Sequence, residues 1–334
     1  AGSTCRPVPG SDDTGVVTMR VCLMIEGQEG VTWDDWVRLA RLTEDHGLEG
    51  LFRSDHYTAI IRPDADALDA WATLAGLAAV TDRIRLGTLV SPATFRHPSV
   101  LARMAVTVDH ISGGRVEVGM GSGWYEREHD AHGFPFLDGK QRFELFAEQV
   151  EIVVRSWTEE RFDHDGLAYH LRDQLALPHP VQKPHPPLVL GGGVKPLFAA
   201  LAARYATEVN TLGASNDELR ERKRQLDRAC ADCGRDPATL GFSVMTSCFL
   251  GDDRADAVER IARFLSVRGD ETEAEAMLEA RRERWLAGSV DEVAERIAAL
   301  RELGVTRVFL QHLNHSDDEM VALIGGRLLP SLDG

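Results

Sequence analysis

From residue 19 onward the chain alternates between two kinds of apolar pattern. Short runs rich in strand formers, such as "RVCLMIEG" (20–27) and "LEGLFRSDH" (48–56), are each followed by a longer stretch with helical spacing. The stretch 32–47 opens on Thr32 and stops at Gly47, and 97–114 closes on a Gly113–Gly114 pair, the usual punctuation of helices. Further runs at 83–92, 115–124, 187–193, 207–210, 240–251 and 305–312 read as strands, with helical stretches at 67–82, 139–157, 195–206, 215–234, 289–304 and 316–332. Eight strands, each followed by a helix, predict a (β/α)8 TIM barrel, an α/β fold of typical length for this chain. A doubly wound open sheet is the competing fold. It is disfavoured because no G-x-G-x-x-G follows the first strand.

Two segments break the rhythm. Residues 158–187 are polar and rich in Pro and His, and read as an inserted loop or small hairpin. Residues 254–287 read as a highly charged helical insertion, either a solvated amphipathic helix or a reader of substrate charge. Both are expected to lid the barrel mouth and set the substrate. Residues 1–18, rich in Gly, Pro, Ser and Thr, read as a flexible leader or an appended remnant, and 19–334 as one barrel domain.

Composition narrows the function. A formal net charge of -16 argues against a nucleic-acid partner, which needs a basic face. No apolar run is long enough to span a membrane, and the N-terminal stretch lacks the apolar core of a secretory signal. Five cysteines, an odd number, suit a reducing cytoplasm better than a disulfide framework. Cys230 and Cys233 form a C-x-x-C pair with no second pair, which reads as incidental.

In such a barrel the chemistry lies at the C-terminal ends of the strands. That singles out Glu26; Ser54, Asp55 and His56; the stretch 88–92; the stretch 119–124; Gly191, Gly192 and Gly193; Asn210; the stretch 246–248; and Gln311 with His312. No nucleophile elbow, P-loop or metalloprotease motif is present, and the histidines are too scattered for a metal centre. "VLGGGVKPLF" ends a strand in three glycines and begins a helix almost at once, which suits a phosphate cradle or a tight turn. "VGMGSGWYEREH" (118–129) carries glycine at alternate positions. Something must approach that backbone closely: a bulge, a phosphate or a flat ligand.

Taken together, "SDH" after the second strand, the block 84–124, "VLGGG" and "AGSVDEVAERIAALRELGVTRVFL" resemble the luciferase-like monooxygenase superfamily, in particular its F420-dependent oxidoreductase branch. The resemblance covers nearly the whole chain after Met19. It implies a reduced deazaflavin, F420, or alternatively FMN, at the barrel mouth. Asp55 and His56 would then lie near the ring, and Leu89, Val90 and Ser91 would form a bulge behind it that often holds a non-prolyl cis peptide. Gly121 and Gly123 would lie beside the cofactor, and Gly191 to Gly193 at its phosphate. Trp124 would wall the pocket or be a core aromatic. His56, with Glu26 second, is the candidate proton donor or electrostatic partner, against a purely structural hydrogen bond. The implied reaction is hydride transfer between F420 and a small organic substrate. An oxygen-using FMN monooxygenase and a non-catalytic flavin-binding barrel are the alternatives, and a homodimer is expected.

Overall fold

A computed structural model describes residues 18–62 and 64–332; the predicted leader lies almost wholly outside the described residues. Eight parallel strands close into a ring. In order around it they are β1 (Arg20–Ile25), β2 (Gly50–Arg53), β3 (Arg85–Thr88), β5 (Val116–Gly121), β8 (Leu188–Gly191), β9 (Glu208–Leu212), β10 (Gly241–Gly251) and β12 (Arg307–Gln311), which pairs back onto β1. The closing register sets Met24 against Gln311. The predicted (β/α)8 barrel is the observed fold.

The helices form where the sequence punctuates them. α1 (Trp33–Asp45) is opened by a reciprocal pair of hydrogen bonds between Thr32 and Asp35. α3 (Pro98–Ser112) starts on proline and ends where Gly113 turns left-handed. α2 (Ala70–Val80), α5 (Gly139–Thr158), α6 (Pro196–Tyr205), α7 (Asn216–Asp232) and α10 (Val290–Glu302) complete most of the outer layer. A capping box also opens α5, α7 and α10.

The N-terminal end of the barrel is sealed by charge. Arg307 bonds Glu117 and Glu208, each at 2.8 Å, with all three side chains nearly fully buried. Arg20 and Arg85 reach the same carboxylates from β1 and β3. Burial alone would raise the Glu117 carboxyl, but Arg307 and Arg85 hold it down at about 2. Above this layer lies an apolar one that includes Met24, Phe52, Leu89, Val189 and Phe309.

Three expectations change. The third predicted strand is not continuous: after β3 the chain turns through a cis Leu89–Val90 peptide, the bond type the resemblance implied, and resumes as β4 (Ser91–Pro92), paired to β5. The "YEREH" run forms an unpredicted helix, α4 (Glu126–His132). The first insertion is an antiparallel hairpin, β6 (Arg161–Asp165) and β7 (His170–Leu175), and it does not lid the mouth. Glu148 of α5 accepts the Ala168 and Tyr169 N–H groups, which holds the hairpin on the outer flank. The second insertion does reach the mouth. Its helices α8 (Arg254–Arg268) and α9 (Ala274–Arg281) and strand β11 (Leu286–Ser289) bury Phe264 and Leu278 in a small apolar cluster, and Arg260 of α8 is buried against Asp317.

Candidate functional site

The strand ends enclose a cavity of about 650 Å³, within the usual size for a small-molecule site. Of the predicted residues, Glu26, Ser54, His56, Leu89, Val90, Gly123, Trp124 and Gly191 to Gly193 line it. Asp55, Ser91 and Gly121 do not.

His56 faces this cavity. Its Nδ1 bonds Glu128 Oε2 at 2.8 Å, and no hydrogen bond engages Nε2 among the described residues. Glu128 is fully buried and also accepts the Tyr57 and Thr58 N–H groups. Burial would lower the imidazole, but the hydrogen bond and charge of Glu128, helped by Glu26 and Asp55, lift it above the ordinary histidine value. The proton held on Nδ1 by Glu128 leaves Nε2 as the atom that gains or loses one. Trp124 stands edge-on to His56 with ring centroids 5.9 Å apart. At 62% exposed it is a wall of the mouth and not a core residue.

Asp55 is buried behind that wall. Its Oδ2 takes a bond from Arg96 Nη1 and another from the Ser91 hydroxyl, each 2.6 Å. Ser91 in turn accepts from the Trp71 indole. Both residues therefore hold the β2 and β4 ends together, and neither lines the cavity.

The alternating glycines have the same kind of answer. A Cβ on Gly119 would lie 2.0 Å from the Thr88 carbonyl oxygen, and one on Gly121 2.7 Å from Val90. A Cβ on Gly191 would also strike Val90, at 2.8 Å. What comes close to "VGMGSG" is thus the β3–β4 bulge of the chain itself, and Gly121 seats Val90. Gly123 is different. It lines the cavity with φ +80°, and a Cβ there would meet Thr94 and crowd His129.

On the opposite side, Gly192 donates to the Asn210 carbonyl, while no protein acceptor takes the Gly193 or Val194 N–H among the described residues. No side chain caps α6, and a Cβ on Gly193 would meet nothing within 4 Å. Arg222 lines the cavity here, held by Thr211 Oγ1 at 2.7 Å and the Leu212 carbonyl at 3.0 Å. Free amides, an uncapped helix start and an arginine make a cradle that fits a phosphate.

A polar chain crosses the floor. The Ser54 hydroxyl donates to Gln28, Gln28 and Gln311 donate to Glu26, and Ser247 donates to Gln311. His312, named as a strand-end candidate, lies outside the cavity; burial pushes it down to about 4. No cluster of three or more His, Cys, Asp or Glu side chains fit to hold a metal occurs among the described residues.

Sequence reasoning missed Glu128, Gln28, Arg222 and the apolar rim residues Ile60, Ile61, Phe264, Trp285 and Leu313. For Glu128 one signal existed: an acidic residue a few positions beyond a strand end. The rim residues carried none, because their convergence depends on loop paths.

The sequence profile of the luciferase-like monooxygenase family matches residues 15–307. The chain belongs to the luciferase-like monooxygenase family. Its relatives in the family use different cofactors. It is 28% identical, over 87% of this chain and 91% of the relative, to an F420-dependent glucose-6-phosphate dehydrogenase of Microbacterium testaceum. It is 25% identical, over 91% and 89%, to an FMNH2-dependent dimethylsulfone monooxygenase of Pseudomonas putida. Among solved structures, the monooxygenase RslO1 of Streptomyces bottropensis superposes with a TM-score of 0.80 at 23% identity, covering 93% of this chain and 99% of that one. That last likeness is one of fold. No helix among the described residues is long and apolar enough to cross a membrane.

Proposed function

We propose that the protein is an F420-dependent oxidoreductase that moves a hydride between the deazaflavin and a small organic alcohol or carbonyl compound. The observation that carries this reading is the His56–Glu128 pair. Exchange of a hydride with an alcohol or ketone requires exchange of a proton at the oxygen, and His56 presents one protonatable nitrogen to the cavity. The likeness to the F420-dependent glucose-6-phosphate dehydrogenase of Microbacterium testaceum supports the choice of cofactor.

The residues fit such a cofactor. The Gly193 and Val194 amides, the start of α6 and Arg222 would hold its phosphate, and Val90, Leu89 and Met24 supply an apolar surface for its ring. When bound, a deazaflavin supplies or accepts the hydride and the protein does not. His56 acts on the oxygen: protonated at Nε2, it gives a proton to a carbonyl being reduced, and neutral, it takes one from an alcohol being oxidised. Glu128 keeps the ring in one orientation and stabilises its charged form. The floor network leaves Glu26 with both oxygens engaged, which makes it a support for the site and a weaker proton carrier than His56.

Titration of the purified protein with F420 and with FMN, followed by fluorescence quenching, tests the reading. F420 should bind tightly and FMN weakly. The reverse order would make the protein an oxygen-using flavin monooxygenase instead.

A further inference from the structure

Of the four arginines of α8, three are paired with carboxylates. Arg254 meets Glu275, Glu279 and Glu292, and Arg260 and Arg263 both meet Asp317. Arg268, the last residue of the helix, has no carboxylate partner among the described residues, and it is the one of the four that lines the cavity. Carboxylates are not scarce there, since Asp270, Glu271 and Glu273 follow it in the chain. Asp270 feels the charge of Arg268 but uses its carboxylate on the Thr272 N–H and makes no ion pair. The Arg268 guanidinium instead stands over the Phe264 ring, 5.5 Å from its centroid.

The walls beside Arg268 are apolar. Phe264, Trp285 and Leu313 belong to the cluster of the second insertion, and Ile60, Ile61 and Trp124 complete that end of the cavity. Ile60 and Trp124 are 43% and 62% exposed, so the protein itself does not cover them. Among the described residues the one carboxylate lining the cavity is that of Glu26, on the floor, with both oxygens engaged by Gln28 and Gln311. The other lining arginine, Arg222, belongs to the glycine-loop end and is bonded to Thr211 and Leu212. An arginine fork on an apolar wall, with no carboxylate of the chain bonded to it, can take one from a ligand, and the low polarity around it strengthens that bond.

We infer that Arg268 reads the charge of the substrate, and that the substrate is an amphipathic monocarboxylate: an apolar ring or chain whose single carboxylate pairs with Arg268 at the cavity mouth. The donor set selects the anion. One planar guanidinium matches the two oxygens of a carboxylate. A phosphate would find a single arginine there and no lysine beside it, and sugar hydroxyls would lose hydration against Trp124 and the isoleucines without replacement partners. An apolar body covers those same side chains, and their removal from water favours binding. The inference rests on the hydride-transfer reading above for the chemistry beside His56, but not for binding. Of the two sequence readings of residues 254–287, it assigns the charge-reading one to Arg268, while Arg254, Arg260 and Arg263 serve the insertion's own ion pairs.

The test is isothermal titration of the full chain with 2-naphthylacetate and 3-cyclohexylpropanoate, each beside its uncharged primary amide, and with glucose 6-phosphate. It is run with and without saturating F420, on the wild type, Arg268→Gln and Arg222→Gln. Arg268 is exposed at a helix end, so its replacement leaves the fold intact. Each acid should bind at least about tenfold tighter than its amide, and that gap should vanish in Arg268→Gln and persist in Arg222→Gln. No saturable binding of the acids, equal affinity for acid and amide, or a gap that survives Arg268→Gln overturns the inference. So does a gap lost only in Arg222→Gln, which puts the anion in the glycine-loop cradle. Arg268-dependent binding of glucose 6-phosphate as tight as that of the acids also overturns it, since the mouth is then a phosphate site. If F420 fails to bind while the Arg268-dependent gap remains, the hydride reading fails and the carboxylate assignment stands.

Discussion

Replacing Glu128 with glutamine separates its two duties. The carboxylate is fully buried and takes three N–H donors, from His56, Tyr57 and Thr58. An amide offers one acceptor oxygen and turns an NH2 toward at least one of those donors. One buried donor left unmatched costs about 1–3 kcal/mol. For 334 residues the unfolding entropy is about 0.7 kcal/mol/K, so Tm should fall by roughly 1.5–4 °C. The electrostatic effect has a definite sign. His56 sits above its ordinary value of 6.5 because Glu128 outweighs burial. Without that charge burial dominates, and the imidazole must titrate at lower pH than in the wild type. A group raised on folding adds stability that is fully present below its unfolded pKa and is lost as pH rises through its folded one. The stability gap between wild type and Glu128→Gln should therefore be widest between about pH 4.5 and 6.5, narrowing at higher pH as His56 loses its proton and at lower pH as Glu128, itself held below its ordinary value, gains one. NMR titration of histidine-labelled protein, with the His56 signal assigned by its loss in His56→Ala, reads the shift directly and needs no substrate. An unchanged His56 titration in Glu128→Gln, with the expected fall in Tm, would leave Glu128 a structural residue and refute the pairing.

Other outcomes follow from the same geometry. His56→Ala should lower turnover by about 10²–10⁴ while F420 affinity, measured by quenching, stays put; unchanged turnover removes His56 from the chemistry. Gly193→Asp places a carboxylate in open space beside the free amides, so F420 binding should weaken at least about tenfold with Tm unchanged; equal binding puts the phosphate elsewhere. Glu117→Gln breaks the buried seal around Arg307 and should cost about 3–5 kcal/mol, or roughly 4–7 °C in Tm. Because the Glu117 carboxyl is depressed from 4.5 to about 2, that contribution is present above about pH 4.5 and lost toward pH 2, so acid unfolding of wild type and variant should converge there.

The barrel was legible because its signals are local. Alternation of apolar periods, the opening at Thr32 and the stops at Gly47 and Gly113 each act within a few residues, and each appears where expected. The strand-end rule then brought His56, Trp124 and the Gly191–Gly193 loop to one cavity. What failed was everything that depends on a distant partner. The sequence cannot say that Val90 lies on Gly119, Gly121 and Gly191, so strand-end glycines that seat a protein side chain looked like room for a ligand. Asp55 stands next to His56 in the chain, yet alternation along the backbone turns it toward Arg96 and away from the cavity. The hairpin at 161–175 and the insertion at 254–287 looked alike as interruptions. Only the contacts of Glu148 and of the Phe264 cluster distinguish a flank from a lid.

The most direct test of deazaflavin hydride transfer is an anaerobic assay with F420 and a series of small secondary alcohols, run beside an aerobic one with FMN and a flavin reductase. Bleaching of the F420 absorbance without oxygen, in step with ketone formation and abolished in His56→Ala, is the predicted result. Product formed only with reduced FMN and oxygen would contradict it.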